Sequence, residues 1–99
     1  MRKIEKQMIE AINSGNDFKS TNTEVVFLGG QLAHVYLHGH KIATVKKRIG
    51  ERFRPIDEIE ADRETFRNWP TATTRSRLKA LGIDASIKNF EACIDGIAL

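Results

Sequence analysis

Three short runs of β-branched and aromatic residues, joined by glycine-containing turns, constrain the fold of this chain more than any other feature. The runs cover residues 24–28, 32–37 and 41–45. Gly29-Gly30 separates the first two runs, and either His38-Gly39 or Gly39-His40 forms the turn before the third. Short connections of this kind join neighbouring antiparallel strands. The sequence therefore predicts a three-stranded antiparallel meander.

The register of this meander follows if each turn has two residues. One face would then carry Val26, Leu28, Ala33, Val35, Leu37 and Ile42. The opposite face would carry Val25, Phe27, Leu32, His34, Tyr36, Ala43 and Val45. Because both faces are partly apolar, we expect a helix or a partner to cover each of them.

Helices are predicted both before and after the meander in the sequence. Residues 2–13 place apolar side chains four apart on one stripe, and Gly15 is a suitable left-handed cap. Residues 61–69 predict a short helix that ends before Pro70. Thr71 can then cap a second helix over residues 72–81.

The rest of the chain completes a small mixed fold. Residues 83–88 and 90–94 predict a closing β-hairpin, and Asp95-Gly96 is a last turn. Residues 46–62 are the least regular stretch, and the sequence leaves the order of this loop open. With 99 residues we expect one α+β domain: N-terminal helix, three-stranded antiparallel meander, short helical pair and C-terminal β-hairpin.

Charge is segregated along the second half of the chain. Residues 46–54 hold five basic residues and one acid, residues 57–64 hold five acids and one base, and residues 65–82 hold four bases and no acid. The pI is about 9.2. Basic blocks favour an acidic partner, either a protein or a nucleic acid.

The candidate catalytic and metal-binding groups form no recognisable site. His34, His38 and His40 cluster in sequence, but no carboxylate or thiol lies in the same hairpin to complete a zinc site. The single cysteine, Cys93, lies among apolar residues and is expected to be buried. The carboxylates of residues 57–64 are expected to be solvated or salt-linked. We therefore expect no enzyme activity, no cofactor and no bound metal.

The helical pair is the most informative segment for function. Two short helices and a following hairpin have the outline of a winged helix-turn-helix, in which hydroxyl and arginine side chains contact DNA. However, Trp69-Pro70 occupies the turn, and Arg75 and Arg77 fall on opposite flanks of the apolar stripe of the second helix. Trp69 could be a core anchor or an interface anchor. The candidate partner-binding residues are Arg67, Trp69, Arg75, Arg77 and Lys79, with Arg52 and Arg54 in the preceding loop.

Several stretches, spread over most of the chain, resemble a known group of viral proteins, the small accessory proteins of T7-like tailed bacteriophages. These stretches are Ile4-Glu5-Lys6, Thr21-Asn22-Thr23, residues 35–43, Thr65-Phe66 and residues 69–82. The resemblance implies a protein that binds a host protein or defence complex, for example as an anti-CRISPR factor. It carries over no functional residue.

The distribution of apolar residues predicts the location of the protein in the cell. No apolar run approaches the length of a membrane span, and the N-terminal residues have no signal-peptide pattern. We therefore expect a soluble protein of the host cytoplasm with no membrane partner. A homodimer and a small DNA-binding winged-helix regulator remain open as alternatives.

Overall fold

The computed structural model describes residues 1–29, 31–49 and 55–99. The helices within these residues are α1 (Lys3–Ser14), α2 (Arg63–Asn68) and α3 (Ala72–Ala80). Its strands are β1 (Phe18–Ser20), β2 (Thr23–Phe27), β3 (Leu32–Leu37), β4 (His40–Ile49), β5 (Pro55–Ala61), β6 (Ala85–Lys88), β7 (Glu91–Ile94) and β8 (Ile97–Ala98).

The strands form two antiparallel sheets. One has the order β1-β2-β3-β4-β5 and the other has the order β6-β7-β8. The mixed α+β class, the N-terminal helix and the helical pair are therefore confirmed. The predicted three-stranded meander is the centre of a five-stranded sheet, and the predicted closing hairpin is the first part of a three-stranded sheet.

The stretch predicted to be irregular is a β-hairpin over most of its described length. β4 continues to Ile49 and pairs with β5, so that Lys46 lies opposite Glu58 and Lys47 opposite Asp57. The start of the basic block and the start of the acidic block thus lie on paired strands, and opposite charges across a ladder stabilise the pairing. Residues 50–54 of the predicted loop lie outside the described residues.

The register of the central strands differs by one residue from the prediction. Val25 lies opposite Val35 because the β2–β3 connection is longer than two residues. Ala43 also lies opposite Val35, because a bulge between Val35 and Tyr36 shifts the β3–β4 register by one residue. One residue of slip exchanges the two faces of a strand. The buried face therefore carries Val25, Ala33, Val35, Leu37, Ala43 and Val45. On the other face, side chains such as Val26, His34 and Thr44 are only half-buried.

The first helix packs onto this buried face. Met8 and Ile12 are buried, and α1 ends at Gly15, whose φ of 72° is the left-handed conformation predicted from the sequence. α1 has no basic residue in its last turn. Instead, Lys47 Nζ of β4 donates to the Ile12 carbonyl at 2.7 Å and lies 3.4 Å from Asp57 Oδ2. This cation stabilises the helix C-terminus and ties the β4–β5 hairpin to α1.

The helical pair closes the core between the two sheets. α2 is capped by Asp62, and α3 is capped by Thr71, whose hydroxyl accepts from the Thr74 N–H at 3.1 Å as predicted. Phe66 of α2 and Leu78 of α3 are fully buried in the core. The exposed residues of the pair are therefore held on short, capped and well-packed helices.

Candidate partner-binding surface

Arg77, one of the cations predicted to bind a partner, lies inside the protein. The residue is 3% exposed, and its Nη1 lies 2.7 Å from Oε2 of Glu5, which is also 3% exposed. Arg77 Nε donates to Thr23 Oγ1 at 3.0 Å. The guanidinium is neutralised and hydrogen-bonded inside the fold, so it presents no surface to a partner.

The Glu5–Arg77 pair joins three elements. Glu5 belongs to α1, Thr23 to β2 and Arg77 to α3, and Ser76 Oγ adds a hydrogen bond of 2.6 Å to Glu5 Oε2. Glu5 Oε1 also accepts from the Arg2 backbone N–H at 3.3 Å. Buried charges are tolerated when their hydrogen-bonding capacity is filled in this way. The pair therefore fixes the position of α3 against α1.

These contacts set the pKa of Glu5. Burial raises the pKa of this carboxyl, but hydrogen bonds from Ser76, Arg77 and the Arg2 backbone, together with the positive charge of Arg77, outweigh burial. The pKa of Glu5 therefore lies below its ordinary value. The charged form of Glu5 is the one that the fold stabilises.

We expect this lowered pKa to make the protein sensitive to acid. A carboxyl whose pKa falls on folding stabilises the fold above its unfolded pKa, about 4.3 for Glu, and this contribution is lost as the pH falls through the folded pKa. The urea midpoint of unfolding should therefore decrease below about pH 4.3. Glu5→Gln should weaken that decrease and lower the midpoint at neutral pH.

The matched control for this experiment is Glu10→Gln, which removes an exposed carboxyl from the same helix. It should leave the neutral-pH midpoint close to that of the parent protein. If Glu5→Gln and Glu10→Gln gave the same midpoints at every pH, Glu5 would not carry the proposed charge interaction.

Arg75 and Lys79 form the exposed basic face of α3. Both are exposed, and they lie four residues apart, one helical turn. The buried side of α3 consists of Thr74, Arg77 and Leu78, so Arg75 points outward rather than flanking the buried edge as predicted. No acidic residue occurs in α3, and neither cation forms an ion pair with any residue in the described part of the chain.

This basic face borders a shallow groove between α1 and α3. The groove has a volume of about 310 Å³, and its lining includes Met1, Arg75, Ser76 and Lys79. Glu5 also lines the groove, but its charge is matched by Arg77. The groove therefore presents an excess of positive charge beside an exposed apolar side chain, Met1.

Trp69 is half exposed, which contradicts the prediction of a core anchor. It follows the last residue of α2, and its backbone N–H donates to the Thr65 carbonyl at 2.9 Å. The indole stacks on His40 of β4, with ring centroids 4.7 Å apart and planes 25° apart. The ring is thus held on one face while half of the residue's surface remains open, and its role as an interface anchor stays a prediction.

The remaining predicted partner-binding residues lie elsewhere. Arg67 is exposed on α2 and borders a second groove together with Arg63, Glu64 and Leu99. Arg52 and Arg54 lie outside the described residues. Of the seven predicted residues, the structure brings Arg75 and Lys79 together on one groove, and it places Arg77 in the interior.

The histidines and the cysteine do not gather into one cluster. His34 Nδ1 lies 3.3 Å from the Tyr36 hydroxyl, whereas His40 stacks on Trp69. Within residues 1–29, 31–49 and 55–99, no group of three or more His, Cys, Asp or Glu side chains could hold a metal ion. Cys93 is 4% exposed, which confirms its predicted burial.

Sequence reasoning missed one conspicuous surface residue, Phe90. This side chain is 94% exposed in the turn between β6 and β7. The signal in the sequence is that Phe90 follows Asn89 at a turn, whereas the comparable turns His38-Gly39 and Asp95-Gly96 have glycine at the second position.

Comparison with known proteins gave one match. The family model described as Kyanoviridae Gp96 protein matches residues 1–98. This is a phage protein family, which supports the predicted phage origin, but its phages are a T4-like group of cyanophages, so the T7-like assignment is not supported. No curated protein and no solved structure matches the chain.

Within the part of the chain that the structure describes, no helix is both long enough and apolar enough to cross a bilayer.

Proposed function

We propose that this chain, which belongs to the Kyanoviridae Gp96 protein family, is a phage accessory protein that binds a host protein and catalyses no reaction. Binding would inhibit or redirect that host protein in the host cytoplasm, and action as an anti-defence factor is one form of this function. The observation that carries the proposal is the exposed basic face of α3, formed by Arg75 and Lys79.

The composition of the exposed helical surface suits a protein partner. Arg75 and Lys79 fit an acidic surface, because opposite charges speed encounter and fix the orientation of a complex. Trp69 comes two residues before the N-cap of the same helix. Tryptophan and arginine are the residues most enriched at binding hot spots.

The way these residues are held also favours binding. α3 is fixed to α1 by the Glu5–Arg77 pair and to its own first turn by Thr71. The Trp69 ring is fixed by its stack on His40. Binding through groups that are already ordered costs less conformational entropy than binding through mobile ones.

DNA binding is a second candidate, favoured by the α2–α3 pair followed by a small β-sheet. α3 has no acidic residue that would repel phosphate. However, Arg77 points inward, so α3 offers two cations, Arg75 and Lys79. Two phosphate contacts predict a slope of about −2 for log affinity against log salt concentration with duplex DNA.

An affinity capture distinguishes these candidates. The tagged full-length chain is incubated with nuclease-treated lysate of a bacterial host of the phage, and retained proteins are identified by mass spectrometry. We expect one protein in stoichiometric amount that resists nuclease treatment. Recovery of nucleic acid alone before nuclease treatment, with duplex affinity that follows the expected salt slope, would instead support DNA binding.

A further inference from the structure

Among the residues that the structure describes, three two-residue turns share one backbone geometry but not one sequence. The turns are His38-Gly39 between β3 and β4, Asn89-Phe90 between β6 and β7, and Asp95-Gly96 between β7 and β8. Both central residues have positive φ in all three, as type I′ hairpin turns require. Two of the turns place glycine second, whereas the third places Phe90 there.

Phe90 is an unfavourable residue for this position. Its φ is 63°, and a left-handed conformation costs a side-chain-bearing residue roughly 1–2 kcal/mol relative to the right-handed one. Large residues are rare there, whereas glycine adopts it freely. Phe90 is 94% exposed, so burial of its ring within this fold offsets almost none of that conformational free energy. Folding alone therefore does not account for a phenylalanine at the tip.

The hairpin beneath Phe90 is paired up to the tip and packed into the core at its base. Lys88 pairs with Glu91 directly below the tip, and Ala85 and Ala92 further along the two strands are buried in the core. A phenylalanine has two rotatable side-chain bonds, so fixing it in a complex costs little conformational entropy. The tip thus presents one large apolar group at a defined place.

We propose that Phe90 is an anchor that inserts into an apolar pocket of the bound host protein. The inference rests on the proposed function and extends it to a second contact beyond the basic face of α3. The charges beside the tip favour a protein over a nucleic acid or an anionic lipid surface, because Lys88 and Glu91 are opposite charges and give the tip no net positive charge. Burial of the ring in an apolar pocket would offset the conformational cost of the turn, since buried aromatic groups dominate the binding free energy of interfaces.

Two substitutions separate the contribution of the ring from that of the turn. Phe90→Gly removes both the ring and the strain, so the folding equilibrium constant should rise by roughly fivefold. Phe90→Ala removes the ring and keeps the strained backbone, so it should leave stability close to that of the parent. Both variants should bind the host protein at least about 30-fold more weakly than the parent.

The measurements are urea unfolding of each variant and titration against the purified host protein that the parent chain captures. Higher stability with weaker binding for Phe90→Gly, and weaker binding alone for Phe90→Ala, would support the anchor. Equal affinity of parent and both variants would overturn the anchor and leave the proposed function standing. Capture of no host protein, or of nucleic acid only, would overturn both. A Phe90→Gly variant less stable than the parent would overturn the strain argument on which the anchor depends.

Discussion

Replacing Arg77 with methionine should destabilise the protein by about 3–5 kcal/mol, because it leaves the Glu5 carboxylate buried without its cation. Glu5 and Arg77 are each 3% exposed, and Arg77 Nη1 lies 2.7 Å from Glu5 Oε2, so the substitution removes the cation that neutralises a nearly buried carboxylate. Small domains have a total stability of about 5–15 kcal/mol, so this single change removes a large fraction of it. Urea unfolding at pH 7 measures the effect.

Arg75→Met is the matched control, because it makes the same substitution two residues earlier at an exposed position. It should change the free energy of unfolding by no more than about 0.5 kcal/mol. The double variant Glu5→Leu/Arg77→Met should recover most of the loss, since an apolar pair has no charge to desolvate. Equal stabilities of Arg75→Met and Arg77→Met would contradict the buried ion pair.

Reversing both charges of the basic face should abolish capture of the host protein. Arg75→Glu/Lys79→Glu replaces the two exposed cations of α3 with carboxylates, which would repel an acidic partner surface. We expect affinity to fall at least about 100-fold, and the free energy of unfolding to change little because both residues are exposed. Titration of the purified host protein against each variant measures the loss.

The control for this variant is Lys6→Glu/Lys19→Glu, which makes the same change in net charge at two exposed positions on α1 and β1. It should keep most of the affinity. If both double variants weakened binding equally, net charge rather than the basic face of α3 would explain the interaction.

The sequence predicted the elements whose signals are local. Gly15 marks the end of α1, Thr71 caps α3, and Asp95-Gly96 forms a turn, because each acts through the backbone of neighbouring residues. The β4–β5 hairpin was missed because charged residues have low strand propensity. The signal for this hairpin is the opposite charge of two segments, Lys46-Lys47 and Asp57-Glu58, which become neighbours only when the strands pair.

The candidate surface was harder to predict than the fold. Arg75 and Arg77 are equivalent as a pair of basic residues in one helix, and only the fold shows that one is exposed and the other buried. The deciding partner of Arg77 is Glu5, which lies 72 residues away in the chain. The same holds for Trp69, whose stack on His40 depends on how α2 packs against β4. Residues of this kind are specified by tertiary contacts rather than by local pattern.

The most direct test of the account is affinity capture from nuclease-treated host lysate with the parent chain and Arg75→Glu/Lys79→Glu side by side. We predict that the parent retains one host protein in stoichiometric amount and that the charge-reversed variant, folded to the same stability, retains none. Equal retention by both chains, or no retained protein with the parent, would contradict the claim that α3 binds a host protein through its basic face.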